Sequence, residues 1–369
     1  MMNDQLASEI GPRRVGICSA GVPRELLWAV GCLPVRMFPT AAKPTPAEAY
    51  LPRNFCSLTK LLLSSYLEGD APALDAVVFT DEDDATRRLH DVWPTCVRIP
   101  VWGFLEVPRN GGPHAVSRFA GLLAALATEL ATHTGRPLTA ARLRAAIDLY
   151  NRQRHLLVAL RQRWLDGALP TPAYRRLRQM ALTEAPTSAN DALQEALTAT
   201  DHDAADPLVA SGTTSPSLRT LLLAELAAPV ALVRQIEASG ARIVGEVSGL
   251  DELAVNEPVP TVGDSVEALL TALAEAYLNQ PPAPRLRTVS QRIAYVTHLA
   301  EQRAAHAVIC AYSKFCDLYL AEYPVLRTEL ERVERPLLLL ELEDDTLSGQ
   351  HRTRVEAFLE MVRASESSH

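Results

Sequence analysis

Cysteine is the residue type of this sequence best suited to redox or metal chemistry, and two of the cysteines differ from the rest. The six stand at positions 18, 32, 56, 96, 310 and 316. Cys316 follows the end of a predicted strand, and Cys56 lies near the start of a predicted helix. A helix N-terminus lowers the pKa of a thiol, and thiolate is the form that binds iron. Cys56 and Cys316 are therefore candidate iron ligands, although most free cysteines are simply buried apolar residues.

Other chemical motifs are weak or absent. No CxxC pair occurs, and the nine histidines show neither HExxH nor another ligand spacing. The sequence has no GxSxG, GxGxxG or P-loop motif to support a hydrolase, dinucleotide-binding or P-loop function. The acidic run 81–84 could bind a hard cation, but a solvated helix N-terminus is the better explanation. The remaining cysteines lie inside apolar patterns and are expected in the core: Cys18, Cys32, Cys96 and Cys310.

The composition is that of a folded, acidic protein. The 369 residues include 36 basic and 44 acidic side chains, which gives a net charge of −8. Without a run of Lys or Arg the chain cannot neutralise a series of phosphates, so we expect no nucleic-acid partner. No uninterrupted apolar stretch approaches the ~18–20 residues that cross a bilayer, and residues 1–10 do not resemble a signal peptide. We therefore expect a cytoplasmic protein with reduced cysteines and no membrane association.

Alternating strand and helix signals predict an α/β fold with two doubly wound parallel-sheet lobes and a helical insertion between them. We assign residues 1–112 to an N-terminal α/β lobe and 240–369 to a C-terminal α/β lobe. Residues 113–239 form the helical segment, with a mobile loop at 201–217. The predicted strands are Val15–Cys18, Pro34–Phe38, Ala76–Thr80, Val97–Trp102, Ala241–Gly245, Ala307–Ala311 and Pro336–Leu340. The predicted helices include 55–67, 115–134, 139–165, 216–239, 318–334 and 353–364, and residues 279–284 are a predicted linker.

The two lobes contain similar strand–turn–helix segments. AVVFTDEDDATRRLHDVWP in the first resembles AVICAYSKFCDLYLAEYP in the second, which pairs Asp83-Asp84 with Cys316-Asp317. In open α/β sheets, ligands bind beyond the carboxyl ends of the strands. We therefore expect both turns to face a ligand site.

Five short matches, in order along the chain, are similar to one known family. They are Val22–Leu26 followed by Gly31–Arg36, then Cys56, Gly240–Glu246, Phe315–Asp317 and Gly349–Glu360. The last match is the most specific, since it follows the family's closing pattern GQxxTRxEAFxE. By these residues the chain resembles the subunits of the 2-hydroxyacyl-CoA dehydratase and benzoyl-CoA reductase family.

This resemblance implies a two-lobed α/β subunit that pairs with a homologous second subunit as a heterodimer. It also implies a [4Fe–4S] cluster held by three cysteines, with one iron open to another ligand. In this family a separate ATP-dependent activator delivers a low-potential electron to an acyl-CoA substrate, from which hydroxide leaves or whose aromatic ring is reduced. Cys56 and Cys316 match the first and the last cluster cysteines of the family.

The chain departs from the family at the middle cluster cysteine. The family has a Cys-Asp pair after the AVVFT strand, whereas this chain has Asp83-Asp84. Asp83 is thus the suspected third ligand of a cluster held by Cys56 and Cys316. A second option is that another group of the protein replaces Asp83 as the third ligand. The alternative is a cluster-free, non-catalytic subunit that acts as a scaffold for a cluster-bearing homologue.

Overall fold

The chain forms two four-stranded parallel sheets, each covered by helices. The computed structural model describes residues 11–81, 83–109, 111–198, 218–248, 257–280, 288–344 and 346–366. The α/β prediction with two parallel-sheet lobes is confirmed. The predicted mobile loop 201–217 lies outside the described residues, as do residues 281–284 of the predicted linker.

The first sheet has the strand order β2-β1-β3-β4. Its strands are β1 Arg13–Ile17, β2 Cys32–Arg36, β3 Ala76–Thr80 and β4 Val101–Leu105. Around it lie α1 Arg24–Ala29, a 3-10 helix Thr45–Ala49, α2 Ser57–Glu68 and α3 Asp84–Cys96. Every residue of β2 and β3 is buried, as expected for strands covered on both faces. The strand predicted over Val97–Trp102 begins only at Val101, because Val97 is the C-cap of α3.

Four helices follow the first sheet. They are α4 Pro113–Thr134, α5 Ala140–Leu165, α6 Thr171–Thr183 and α7 Pro186–Thr198. Thr139 caps α5 as predicted, since its hydroxyl accepts a hydrogen bond from the Arg142 amide at 3.3 Å. Among the described helices, α4 alone is long and apolar enough to cross a bilayer, judged by length and composition. Its side chains Phe119, Leu123 and Leu130 are fully buried in the core of the first lobe, as in an amphipathic helix of a folded domain.

The second sheet repeats the first, with the order β6-β5-β7-β8. Its strands are β5 Leu218–Ala224, β6 Ala241–Val247, β7 Ala307–Ser313 and β8 Leu337–Leu342. The described helices of this half are α8 Val230–Ala238, α9 Val266–Leu278, α10 Val289–Gln302, α11 Asp317–Arg332 and α12 Gly349–Glu366. Helix α9 contacts the other half, since Leu269, Leu273 and Tyr277 pack in the core of the first lobe.

The helix predicted over 216–239 is wrong in its first half. Leu218–Ala224 is the strand β5, which pairs with β6 on one side and β7 on the other. A short apolar run does not by itself distinguish a buried strand from a buried helix, and here the pairing partners decide. The second sheet consequently begins at Leu218, ahead of the lobe boundary predicted at residue 240.

A buried carboxylate joins α1 to the helices packed on it. The fully buried Glu25 accepts hydrogen bonds from the Arg154 guanidinium and, at 2.7 Å, from the Tyr277 hydroxyl. Burial opposes the charged form of Glu25, but the Arg154 charge and these hydrogen bonds outweigh it and lower the pKa of Glu25. Next to it, Arg24 Nη1 donates to the Ala181 carbonyl of α6 at 2.8 Å. Helices α1, α5, α6 and α9 therefore meet around one ion pair.

A second buried carboxylate ties the same helix α6 to the other sheet. Glu246 of β6 accepts from Arg175 Nη1 at 2.9 Å and from Arg178 Nη2 at 2.6 Å. Burial opposes its ionisation, but the two guanidinium charges prevail and lower the pKa of Glu246. Helix α6 thus bonds to α1 of the first lobe and to β6 of the second, and this fixes the lobes relative to each other.

We predict that Glu246→Gln lowers the free energy of unfolding at pH 7 by about 3–5 kcal/mol, because it leaves two buried guanidinium groups without their carboxylate. Urea denaturation followed by circular dichroism measures this loss. Glu341→Gln, at an exposed position on β8, is the control and should change the value by less than ~0.5 kcal/mol.

The same experiment at lower pH tests the electrostatic cause. The folded-state pKa of Glu246 is lowered, so its contribution is present above its unfolded-state pKa and is lost as the pH falls through the folded-state pKa. The difference between wild type and Glu246→Gln should therefore shrink in acid. If the difference in the free energy of unfolding stays the same at low pH, the negative charge of Glu246 is not the cause of its stabilising effect.

Candidate functional site

A cavity of about 220 Å³ lies between the two lobes, and it brings together the three residues predicted to form a site. Cys56, Asp83 and Cys316 all line it. Asp83 follows β3 and Cys316 follows β7, so both stand beyond the carboxyl end of the third strand in their sheet. This is the position at which open parallel sheets bind ligands.

Each of these three residues is the N-cap of a helix. Cys56 caps α2, Asp83 caps α3 and Cys316 caps α11. The matching positions of Asp83 and Cys316 confirm the predicted similarity between the two strand–turn–helix segments. Three helix N-termini, each with a partial positive charge, therefore face one cavity, an arrangement that favours anionic ligands and thiolates.

A backbone hydrogen bond and apolar packing hold the turns of Cys56 and Cys316 against each other across the lobe boundary. The two cysteines belong to the same buried cluster, and the Ser57 amide donates to the Lys314 carbonyl at 3.1 Å. Both cysteines are buried. Phe315, just before Cys316, has a φ of 63°, which is unusual for a bulky residue and common at functional turns. The two cysteines thus form a defined pair rather than neighbours by chance.

Asp83 lies in the same cavity, but its carboxylate already has a structural role. One of its oxygens accepts a hydrogen bond from the Thr86 amide at the start of α3. Its neighbours are similar: Asp81 accepts from the Val107 amide at 2.8 Å, and the exposed Asp84 pairs with Arg88. The interpretation of this acidic run as a helix N-terminus is therefore confirmed for Asp83 and Asp84.

Glu225, at the end of β5, is a cavity residue that the sequence did not reveal. Its carboxylate accepts from the Ser313 amide at 2.8 Å and from the Ser313 hydroxyl, and the Ser313 carbonyl in turn accepts from the Cys316 amide at 3.1 Å. Residues 216–239 were predicted as one helix, which hid the strand end on which Glu225 lies. A single acidic residue directly after an apolar run was the only available signal.

Burial and neighbouring groups raise the pKa of two acidic groups of the cavity, Cys316 and Glu225. The hydrogen bond with Cys56, burial and the nearby Glu225 all raise the pKa of the Cys316 thiol. Burial raises the pKa of Glu225 in spite of its Ser313 hydrogen bonds, and the Asp83 charge adds to the effect. The lowered thiol pKa expected from the helix N-terminus is therefore wrong for Cys316, because the helix is outweighed by burial and by two neighbouring acidic groups.

The other four cysteines divide into two kinds. Cys18 was expected in the core, but it is only partly buried and lines the cavity, with its Sγ 3.5 Å from Met37 Sδ. Cys96 is also partly buried, away from the cavity. Cys32 and Cys310 are buried as predicted, and burial raises the pKa of each to about 12.

Within the described ranges, no three Cys, His, Asp or Glu side chains converge closely enough to hold a single metal ion. The histidines His114, His133 and His298 are exposed on helices. The site is therefore a pair of thiols with carboxyl groups beside it, at the junction of two parallel-sheet lobes.

Residues 19–362 match the family model described as "2-hydroxyglutaryl-CoA dehydratase, D-component". The chain belongs to this family. The family resemblance inferred from the sequence motifs is thus confirmed. Several residues of those motifs form the buried networks described above, since Arg24 and Glu25 lie in the first motif and Glu246 in the third.

Three curated relatives in this dehydratase family match the chain over most of its length. The chain is 26% identical to lactoyl-CoA dehydratase subunit beta of Anaerotignum propionicum, with 97% of this chain and 94% of that protein covered. It is 22% identical to the (R)-phenyllactyl-CoA dehydratase beta subunit of Clostridium sporogenes, with 96% and 93% covered. It is 23% identical to a benzoyl-CoA reductase subunit of Thauera aromatica, with 89% and 84% covered.

We predict that Cys32 and Cys310 do not react with iodoacetamide in the native protein at pH 8. With a pKa of about 12, only about one thiol in ten thousand is ionised at this pH, and both side chains are buried. Peptide mapping by mass spectrometry measures the labelled fraction of each cysteine. The same labelling in guanidinium, where all six should react, is the control. Rapid native labelling of Cys310 would contradict the buried position assigned to β7.

Proposed function

We propose that this chain is a subunit of a 2-hydroxyacyl-CoA dehydratase or benzoyl-CoA reductase-like enzyme, and that it holds a [4Fe–4S] cluster in the cavity between its lobes. The observation that carries the proposal is the packing of Cys56 and Cys316 in one buried cluster, since these cysteines come from different lobes and occupy the N-cap positions of helices that face one cavity. Family membership adds support, because the named relatives are subunits of acyl-CoA dehydratases and of a benzoyl-CoA reductase.

The donor groups of the cavity fit an iron–sulfur cluster at two positions. Thiolates are the usual protein ligands of such clusters, and each binds a different iron, so the ligands surround a volume rather than meet at one point. Cys56 and Cys316 supply two thiols, one from each lobe. At the third position the family cysteine is replaced by Asp83, whose role as a ligand remains a prediction.

A bound cluster would supply a low-potential electron, and the residues of the chain would set the conditions for it. The N-termini of α2, α3 and α11 stabilise negative charge on the ligands. Leu58, Leu62 and Phe315 line the cavity with apolar surface, which limits the access of water. Burial and solvent access are two of the factors that determine the reduction potential of a cluster.

The partners belong to the same proposal. The names of the relatives describe subunits, which favours a homologous second subunit for this chain as well. We further propose an acyl-CoA substrate, an ATP-dependent activator as electron donor and a cytoplasmic location.

A second candidate function is a cluster-free subunit that acts as a scaffold for a cluster-bearing homologue. One observation favours it. The carboxylate of Asp83, at the position of the missing family cysteine, is engaged in capping α3. In this case the features that the chain shares with its family would serve assembly with the partner rather than electron transfer.

Anaerobic purification with iron and sulfide analysis separates the two functions. We expect roughly four irons and four sulfides per chain in the wild type, and the loss of both in the Cys56→Ser/Cys316→Ser double variant, because its hydroxyls are poor iron ligands. Cys96→Ser, away from the cavity, is the matched control and should keep the full content. An iron-free wild type that still binds its partner would support the scaffold function instead.

Asp83→Cys tests the departure from the family pattern. A thiol at this N-cap faces the cavity, and thiolate binds iron more strongly than carboxylate does, so we expect higher cluster occupancy and a changed visible spectrum. If the wild type carries no iron and Asp83→Cys remains empty as well, the site has lost more than one ligand.

A further inference from the structure

Glu225 is held in place more firmly than any other carboxylate of the cavity. Both oxygens of its side chain accept hydrogen bonds from Ser313, one from the amide at 2.8 Å and the other from the hydroxyl. Ser313 is the last residue of β7, and Glu225 directly follows β5, the neighbouring strand of the sheet. The ends of two paired strands therefore fix the orientation of this side chain.

The fixed carboxylate lies beside the turn that carries Cys316. The carbonyl of Ser313 accepts a hydrogen bond from the Cys316 amide at 3.1 Å, and Glu225 lines the cavity together with Cys56 and Cys316. Ser313 thus connects the Glu225 carboxylate to the cysteine turn. Each carboxylate oxygen has two lone pairs, so the bonds with Ser313 leave acceptor capacity on both oxygens.

Asp83 is less suited to the same role. Its Oδ1 accepts from the Thr86 amide, and this bond caps α3. A ligand at this position would have to share its carboxylate with the start of a helix. For Glu225 the corresponding partner is Ser313, whose two hydrogen bonds hold the carboxylate beside the Cys316 turn.

We propose that Glu225, rather than Asp83, is the third protein ligand of the cluster bound through Cys56 and Cys316. The inference rests on the proposed cluster-binding function and names the group that replaces the missing thiol. Ligating carboxylates are themselves hydrogen-bonded by surrounding residues that fix their orientation, and Ser313 has this relation to Glu225. Carboxylates are established iron ligands in other protein sites.

Two single substitutions discriminate between the carboxylates. Glu225→Gln retains the size of the side chain but removes its negative charge, and Asp83→Asn does the same while keeping a good N-cap residue. After anaerobic reconstitution with ferrous iron and sulfide, we expect Glu225→Gln to retain at least tenfold less iron against a chelator than the wild type. Asp83→Asn should stay within about twofold of the wild type.

Iron content, sulfide content and the electron paramagnetic resonance spectrum of the reduced protein are the readouts, so the test does not depend on enzymatic activity. Circular dichroism and thermal unfolding show whether each variant is folded. Glu341→Gln, on the exposed part of β8, serves as the neutral control. Glu225→Cys is the second variant, and we expect it to keep the iron with an altered resonance spectrum, since it exchanges oxygen for sulfur at one iron.

The outcomes separate the two proposals. A wild type that binds iron through Cys56 and Cys316, with Glu225→Gln and Glu225→Cys both unchanged in iron and spectrum, overturns the role of Glu225 and leaves the proposed function standing. Loss of iron in Asp83→Asn alone assigns the ligand to Asp83. A wild type that takes up no iron overturns the cluster-binding function, and the role of Glu225 with it.

Discussion

The arrangement of the two lobes around the cavity depends on the buried polar contacts of one helix. Helix α6 donates from Arg175 and Arg178 to Glu246 in the second sheet, and its Ala181 carbonyl accepts from Arg24 beside Glu25 in the first lobe. A buried carboxylate is costly unless its partners remain in place, so these contacts tolerate little change in geometry. The lobes are thereby held at one separation, and Cys56 of one lobe meets Cys316 of the other. The relative position of Cys56 and Cys316 thus depends on helix α6, which does not itself line the cavity.

Much of the fold could be predicted because β-branched runs and helix caps are local signals. β3 is found at its predicted residues, and the N-cap role of Thr139 follows from the same rules. The strand β5 could not be predicted this way, since LRTLLLA satisfies both helix and strand patterns and only its pairing with β6 and β7 decides. Cys56, Asp83 and Cys316 were recognisable from helix starts, strand ends and family motifs. Glu225 and Cys18 were not, because their importance arises from three-dimensional proximity alone.

Asp83 shows how one position can serve two different needs. An N-cap must accept a hydrogen bond from the first turn of the helix, and aspartate does so well, whereas cysteine is a weak acceptor. Neither Cys56 nor Cys316 forms a side-chain cap bond, while Asp83 bonds to the Thr86 amide. Aspartate in place of cysteine at such a position therefore benefits the helix and replaces a soft sulfur donor with oxygen. The hydrogen bonds from Ser313 hold another carboxylate, that of Glu225, in the same cavity as Cys56 and Cys316.

The position of α9 has a consequence for how the protein is made. This helix, Val266–Leu278, lies late in the chain, yet Leu269, Leu273 and Tyr277 complete the core of the first lobe, and Tyr277 bonds to Glu25. During synthesis, the first sheet emerges from the ribosome long before the helix that seals it. The apolar core of the N-terminal lobe therefore remains partly exposed until the chain has been synthesised past residue 278. Contacts this distant in sequence slow folding and leave apolar surface open to aggregation. A fragment that ends before Val266 would lack these side chains and leave part of the first core uncovered.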